Sequence, residues 1–168
     1  MENTTSTSKQ CELSAYADTD VGAAIVTDNY DFYMKVNTGQ CPADFVEFRG
    51  NCYHIETTYR PQWQSARDRC INMGANINLV SLESPGEKDF LAPYFKTPWW
   101  TGGNDIAVDT QWVWNATGRQ VDMCEPTVWG PSEPTNADNK YYVKIDKDSY
   151  AYSSGNWARN YVCEKFQE

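Results

Sequence analysis

Sixteen residues, Trp99 to Trp114 (WWTGGNDIAVDTQWVW), hold four of the chain's seven tryptophans. Indole surface on that scale is costly to leave in water, so this stretch is expected to form the centre of a core. Trp112-Val113-Trp114 alternates as a strand does, with both indoles on one face. Trp100-Thr101-Gly102-Gly103 reads as a strand that turns sharply, its glycines allowing another backbone to approach closely.

On either side the chain changes texture. Residues 1–10 are rich in Ser, Thr and Asn and are expected to form a disordered tail. Residues 11–40 form an N-terminal extension. It holds two candidate strands, 23–27 and 32–36, around Asp28-Asn29-Tyr30-Asp31, and so a possible β-hairpin. From Cys41 onward, Phe45–Phe48 and Cys52–Ile55 flank Arg49-Gly50-Asn51 as two short strands around a turn, which a Cys41–Cys52 bridge would staple. Trp63, Ala66, Cys70 and Met73 recur at helical spacing, with Gly74 where a C-terminal cap belongs. Ser84-Pro85-Gly86-Glu87 is a capping box with Pro at the first helical position. Phe90, Leu91 and Tyr94 give that second helix an apolar face, and Pro93 keeps it short. Residues 115–139 contain Pro126, Pro131 and Pro134 and no periodicity; so long a loop in a compact domain is usually functional. Tyr142–Ile145 and Tyr161–Glu164 close the domain as strands. The class is α+β, with no internal repeat.

A formal charge of −9 and a pI near 4.6 argue against nucleic-acid binding, since a phosphate backbone would be repelled. No apolar run approaches the roughly 18 residues of a membrane span, so membrane insertion is not expected. Six cysteines without a CxxC pair predict three disulfides and an oxidising compartment. The sequons at Asn3 and Asn115 suit a secreted, glycosylated protein. The segment MENTTSTSKQ has no apolar h-region, so a signal peptide is expected to have been trimmed or replaced by the initiator Met. Catalysis is not expected: His54 is the only histidine, and no G-x-S-x-G, H-E-x-x-H or G-x-x-x-x-G-K occurs.

Taken in order, these residues resemble the C-type lectin-like domain over roughly 41–165. The landmarks are Cys41-Pro42, Gly50-Asn51-Cys52-Tyr53, the first helix with Cys70, Gly74-Ala75 leading to Leu79-Val80-Ser81-Leu82, and Trp100-Thr101-Gly102-Gly103 in place of the family's WIGL. Trp112 and Trp114, Glu133-Pro134 and Tyr161-Val162-Cys163-Glu164 follow. The resemblance implies two helices, two small antiparallel sheets and a long irregular loop region. It also implies the long-form pairing Cys41–Cys52 and Cys70–Cys163, the second worth about 4 to 5 kcal/mol. The family's third bridge has no cysteines here, its positions falling on Tyr142 and about Gly155. The two remaining cysteines, Cys11 and Cys124, are expected to pair and tie the extension to the start of the long loop.

In sugar-binding members the long loop presents Glu-Pro-Asn or Gln-Pro-Asp, a second acid and a later Trp-Asn-Asp, which together hold Ca²⁺. A hard cation wants six to eight oxygens, with carboxylates to offset its charge. Here Glu133-Pro134-Thr135-Asn136 occupies the first motif, with Thr135 where Asn belongs. The second acid falls on Lys140. Trp-Asn-Asp falls on Tyr150-Ala151-Tyr152 or on Trp157-Ala158-Arg159, and neither supplies an oxygen pair. The sugar-type calcium site is therefore expected to be degenerate. Asp105 and Asp109 match the acids of an accessory position, where calcium binding would be weak.

The long-loop region gains aromatic rings instead. The resemblance implies a recognition module that binds a cell-surface or secreted glycan through the long-loop face. Glu133, Thr135 and Asn136 would supply hydrogen bonds, with Trp129, Tyr150 and Tyr152 stacking. The alternative is a calcium-independent module for an extracellular protein.

Overall fold

The computed structural model describes residues 41–121, 129–130, 141–147 and 149–166. The first of its elements is a hairpin of β1 (Val46–Phe48) and β2 (Asn51–Glu56), paired Val46↔Tyr53 to Phe48↔Asn51. Arg49 and Gly50 between them both have positive φ, the backbone of a type I′ turn, whose twist matches that of the strands it joins. The Cys41–Cys52 disulfide ties the segment entering β1 to β2, as expected.

Helix α1 (Trp63–Asn72) buries Trp63, Ala66 and Cys70. Met73, expected on the same face, is exposed because the helix has already ended: its N–H bonds to Cys70 O, and the tighter i→i−3 turn swings the side chain off the buried stripe. Helix α2 (Pro85–Leu91) starts at the expected capping box. Ser84 Oγ accepts from Glu87 N at 3.3 Å, and Glu87 Oε2 accepts from Ser84 N at 2.9 Å. It gives way to a 3₁₀ turn, Ala92–Tyr94, around Pro93.

The remaining strands are β3 (Ile77–Leu79), β4 (Trp99–Asn104), β5 (Val113–Trp114), β6 (Tyr142–Asp146), β7 (Ser149–Ser153) and β8 (Asn160–Lys165). They form one network of order β1-β2-β8-β4-β6-β7, with β3 added on β8 and β5 on β4. The antiparallel groups expected from the sequence are both present. A short parallel pairing of β4 with β8, Trp99↔Asn160 and Trp100↔Tyr161, joins them into a single mixed sheet.

Adjacent strand residues point to opposite faces, so Trp99 and Trp100 enter two different cores. Trp99 packs with Phe95, Trp112, Trp114, Trp129, Val143 and Tyr150. Trp100 packs with Trp63, Leu79, Tyr161 and the Cys70–Cys163 disulfide beneath α1. The sharp turn expected at the glycines does not occur. Strand β4 runs on to Asn104, and the irregularity is a register shift against β6 between Trp100 and Asn104. The close approach does occur. A Cβ on Gly102 would lie 2.9 Å from Leu79 O, and one on Gly103 would lie 2.6 Å from Val143 Cγ2.

Candidate functional site

Where the chain leaves β5 for the long loop, the described residues show an aromatic cluster rather than an open platform. Trp112 meets Trp129 at 5.7 Å between ring centroids and Tyr152 at 6.1 Å; Tyr150 lies 5.9 Å from both Trp114 and Trp129. A bridge of Trp129 to Tyr150 and the bond from Gly130 N to Tyr150 O at 2.8 Å fix the loop against β7. All three rings expected to stack on sugar, those of Trp129, Tyr150 and Tyr152, are buried. The expectation is corrected by strand geometry. Residues 150 and 152 fall on the same face of β7, and the pairing Val143↔Tyr152 and Ile145↔Tyr150 turns that face into the core.

That pairing also separates the two positions considered for Trp-Asn-Asp. Tyr150-Ala151-Tyr152 lies on β7, hydrogen-bonded to β6, whereas Trp157 lies in the turn before β8 and is 62% exposed. Glu133, Thr135, Asn136, Cys11, Cys124 and Asn3 lie outside the described residues, as do the extension and its possible hairpin.

Asp105 closes β4 and is buried; Asp109 is exposed. Asp105 Oδ2 accepts from Thr110 N at 3.1 Å, while Oδ1 is buried without a hydrogen-bond partner among the described residues. Burial pushes this carboxyl up, and the charge of Asp109 adds to the effect. A buried oxygen with no hydrogen-bond partner among the described residues is an atom that a cation would satisfy. Yet no group of three or more His, Cys, Asp or Glu side chains stands together among the described residues. Among the described residues the fit to calcium is therefore incomplete, since a hard cation needs six or more oxygens.

Asn115 sits in the turn after β5 with its amide engaged. Its Nδ2 donates to Asn78 Oδ1 at 3.2 Å, and its Oδ1 accepts from Arg67 Nε at 3.3 Å. Thr117, the third residue of that sequon, donates to Glu83 Oε1 at 2.5 Å.

A buried acid pair was not anticipated from the sequence. Glu164 on β8 accepts from Ser81 N at 3.0 Å and Asn51 Nδ2 at 3.2 Å, while Glu87 of the capping box accepts from Tyr53 OH at 2.8 Å. Burial, reinforced by Glu87 and Glu83, pushes Glu164 up to about 8. The same burial and both carboxylates raise the Tyr53 phenol. The pair lies in the interior, so it stabilises or tunes the fold rather than contacting a ligand. The one signal in the sequence is that Glu164 directly follows the apolar run Tyr161-Val162-Cys163 of a closing strand.

The double-cored sheet, the two helices and the two disulfides define a C-type lectin-like fold. The family model described as the lectin C-type domain matches residues 59–165, and the chain belongs to this family. Among curated relatives, the chain is 33% identical over 108 residues to the low affinity immunoglobulin epsilon Fc receptor of Homo sapiens, covering 61% of this chain and 32% of the receptor. It is 30% identical over 80 residues to Protein A40 of Vaccinia virus (strain Western Reserve), covering 48% of this chain and 47% of that protein. It thus spans about a third to a half of the length of these relatives. The cow C-type carbohydrate-recognition domain of CD23, solved in the presence of a GlcNAc2Man3 oligosaccharide, superposes with a TM-score of 0.65 at 25% identity, over 76% of this chain and 97% of that one. The Fc receptor and the carbohydrate-recognition domain are named for what they bind, and the lectin C-type domain that residues 59–165 form is a non-catalytic one.

Proposed function

We propose that the chain is an extracellular recognition module that binds a protein partner without calcium-dependent sugar chemistry. The observation that carries this reading is the fate of β7. At one of the two positions where the resemblance expects sugar-binding members to offer Asn and Asp oxygens to a metal, this chain turns Tyr150 and Tyr152 into the core; at the other, Trp157-Ala158-Arg159, no carboxylate stands. A strand committed to packing aromatic rings has no oxygen ligands to present there. The name of the human Fc receptor relative, which denotes an immunoglobulin, fits a protein-binding use of the same scaffold. The two disulfides among the described residues and the sequons suit an oxidising, extracellular setting.

A second reading is glycan recognition at Glu133, Thr135 and Asn136, with calcium held weakly near Asp105 and Asp109. The buried Asp105 Oδ1, without a hydrogen-bond partner among the described residues, favours it. A glycan array probed with and without EDTA separates the two. A flat array in both conditions supports the protein-binding reading, and EDTA-sensitive sugar binding overturns it in favour of the second.

A further inference from the structure

The segment Tyr59–Trp63 runs alongside residues 155–161. Trp63 N bonds to Gly155 O at 3.0 Å, Arg159 N to Pro61 O at 3.2 Å, and Arg60 Nε to Asn160 Oδ1 at 2.9 Å. This pairing gathers three guanidinium groups at one surface. Arg69 reaches it from α1, its Nε donating to Tyr161 OH at 3.1 Å and its Cζ lying 4.4 Å above the Tyr59 ring. Arg159 lies half-buried 4.9 Å over the Trp100 ring; one Nη donates to Ser153 Oγ at 3.2 Å, and its Nε is buried without a partner among the described residues. Beside them stand two of the large exposed side chains among the described residues, Tyr59 at 47% and Trp157 at 62%.

We infer that the surface of Tyr59, Arg60, Arg69 and Trp157, backed by Arg159, docks a short acidic segment of a partner protein. This rests on the protein-binding reading above and names where on the domain the partner sits. The chain carries 23 acidic residues against 14 Lys and Arg, so a cationic cluster should readily find internal carboxylates. It makes no close ion pair: among the described residues the ion pairs within 4.0 Å involve Arg67, Arg119 and Lys144, and none of these three arginines, and Asp146, which acts electrostatically on Arg159, is paired with Lys144. Glu56, the nearby acid that acts electrostatically on Arg69, is committed to the Thr58 hydroxyl and the Thr58 and Tyr59 N–H groups. Arg60 and Arg69 are each anchored through Nε on a neutral acceptor. That pins the planar fork while its outer N–H groups face solvent, the arrangement that meets a carboxylate in bidentate fashion.

The size of the partner's charge follows from the rest of the chain. A long polyanion would be repelled by a net charge of −9, whereas a few acidic residues on an otherwise neutral partner would meet only the local positive field. Exposed Trp, Tyr and Arg side by side are also the residue types that dominate protein–protein binding energy.

The test uses the full chain and a fluorescein-labelled peptide of alternating Glu and Gly, read by anisotropy at low and physiological ionic strength. A heparin-derived oligosaccharide and a Lys–Gly peptide are run in parallel. The expected result is saturable binding of the acidic peptide, weakened about tenfold or more in R60E/R69E, less in R60K/R69K, and also weakened in W157A. Near-UV circular dichroism confirms that each variant is folded. Absence of acidic-peptide binding overturns the proposal. Peptide binding that R60E/R69E and W157A leave unchanged overturns this surface while leaving protein recognition standing. Heparin binding tighter than the peptide, and lost in the same variants, overturns both.

Discussion

The ring of Tyr142 lies against Gly155 so closely that a Cβ there would sit 2.5 Å from Cε2 and 2.9 Å from Cδ2. The resemblance to the long-form family puts its third bridge on Tyr142 and about Gly155. Here an aromatic ring over a glycine, with Trp63 at 4.4 Å and Trp100 at 6.5 Å, takes the place of a covalent link. Gly155→Ala should force the ring out of its seat and destabilise the domain by about 1 to 3 kcal/mol, visible as a lower urea midpoint. The double variant Tyr142→Cys/Gly155→Cys should form a disulfide spontaneously, seen as the loss of two alkylatable thiols by mass spectrometry.

The buried Glu164 makes stability depend on pH in a defined direction. Its folded-state value, about 8, is raised above the ordinary 4.5, so the folded protein retains a proton that the unfolded chain releases. The contribution is fully present below pH 4.5 and is lost as pH rises through 8. Thermal melts should therefore show Tm falling between about pH 5 and about pH 9. Glu164→Gln, which can still accept from Ser81 N, should flatten that decline and be the more stable protein at the alkaline end.

Calcium titrated calorimetrically into chelator-treated protein should show no binding tighter than about millimolar, the range of the weakest extracellular sites. Micromolar affinity would overturn the reading. Asp105→Asn replaces a buried carboxylate whose Oδ1 has no hydrogen-bond partner among the described residues, and it should leave stability unchanged or raise it in the absence of metal.

Glycosylation is expected to be poor at Asn115. Its amide nitrogen, the atom a glycan would modify, is already bonded to Asn78 across to β3. Intact-mass analysis of secreted protein should find low occupancy at this sequon. Asn78→Ala, by freeing the amide, should raise it.

Much of the scaffold was legible because it depends on local chemistry. The capping box at Ser84 and Glu87, the Trp63/Ala66/Cys70 stripe and the hairpin around Gly50 each carry their own signal within a few residues. Strand β7 was not read as a strand from its pattern, and its rings were assigned to the surface. Its sequence SYAYS alternates, but alternation alone does not say which face is inward; the register against Val143 and Ile145 decides that. Likewise β3 is three residues long and exists because β8 offers an edge to it. The buried Glu164 and the arginines at residues 60 and 69 depend on distant contacts, Ser81–Glu164 being 83 positions apart, Arg69–Tyr161 92 and Arg60–Asn160 100, which no window of sequence contains. Glu133, Thr135 and Asn136 lie outside the described residues, so their reading still rests on the motif they resemble.

The final strand, β8, lies in the middle of the sheet: β2 flanks it on one side, β3 and β4 on the other. A nascent chain emerging from the ribosome thus cannot zip up its first hairpin against its proper neighbour until residues 160–165 have cleared the tunnel. Until then the tryptophans of both cores are held in a half-made interior, the period in which such a chain is most in need of chaperones and most open to aggregation.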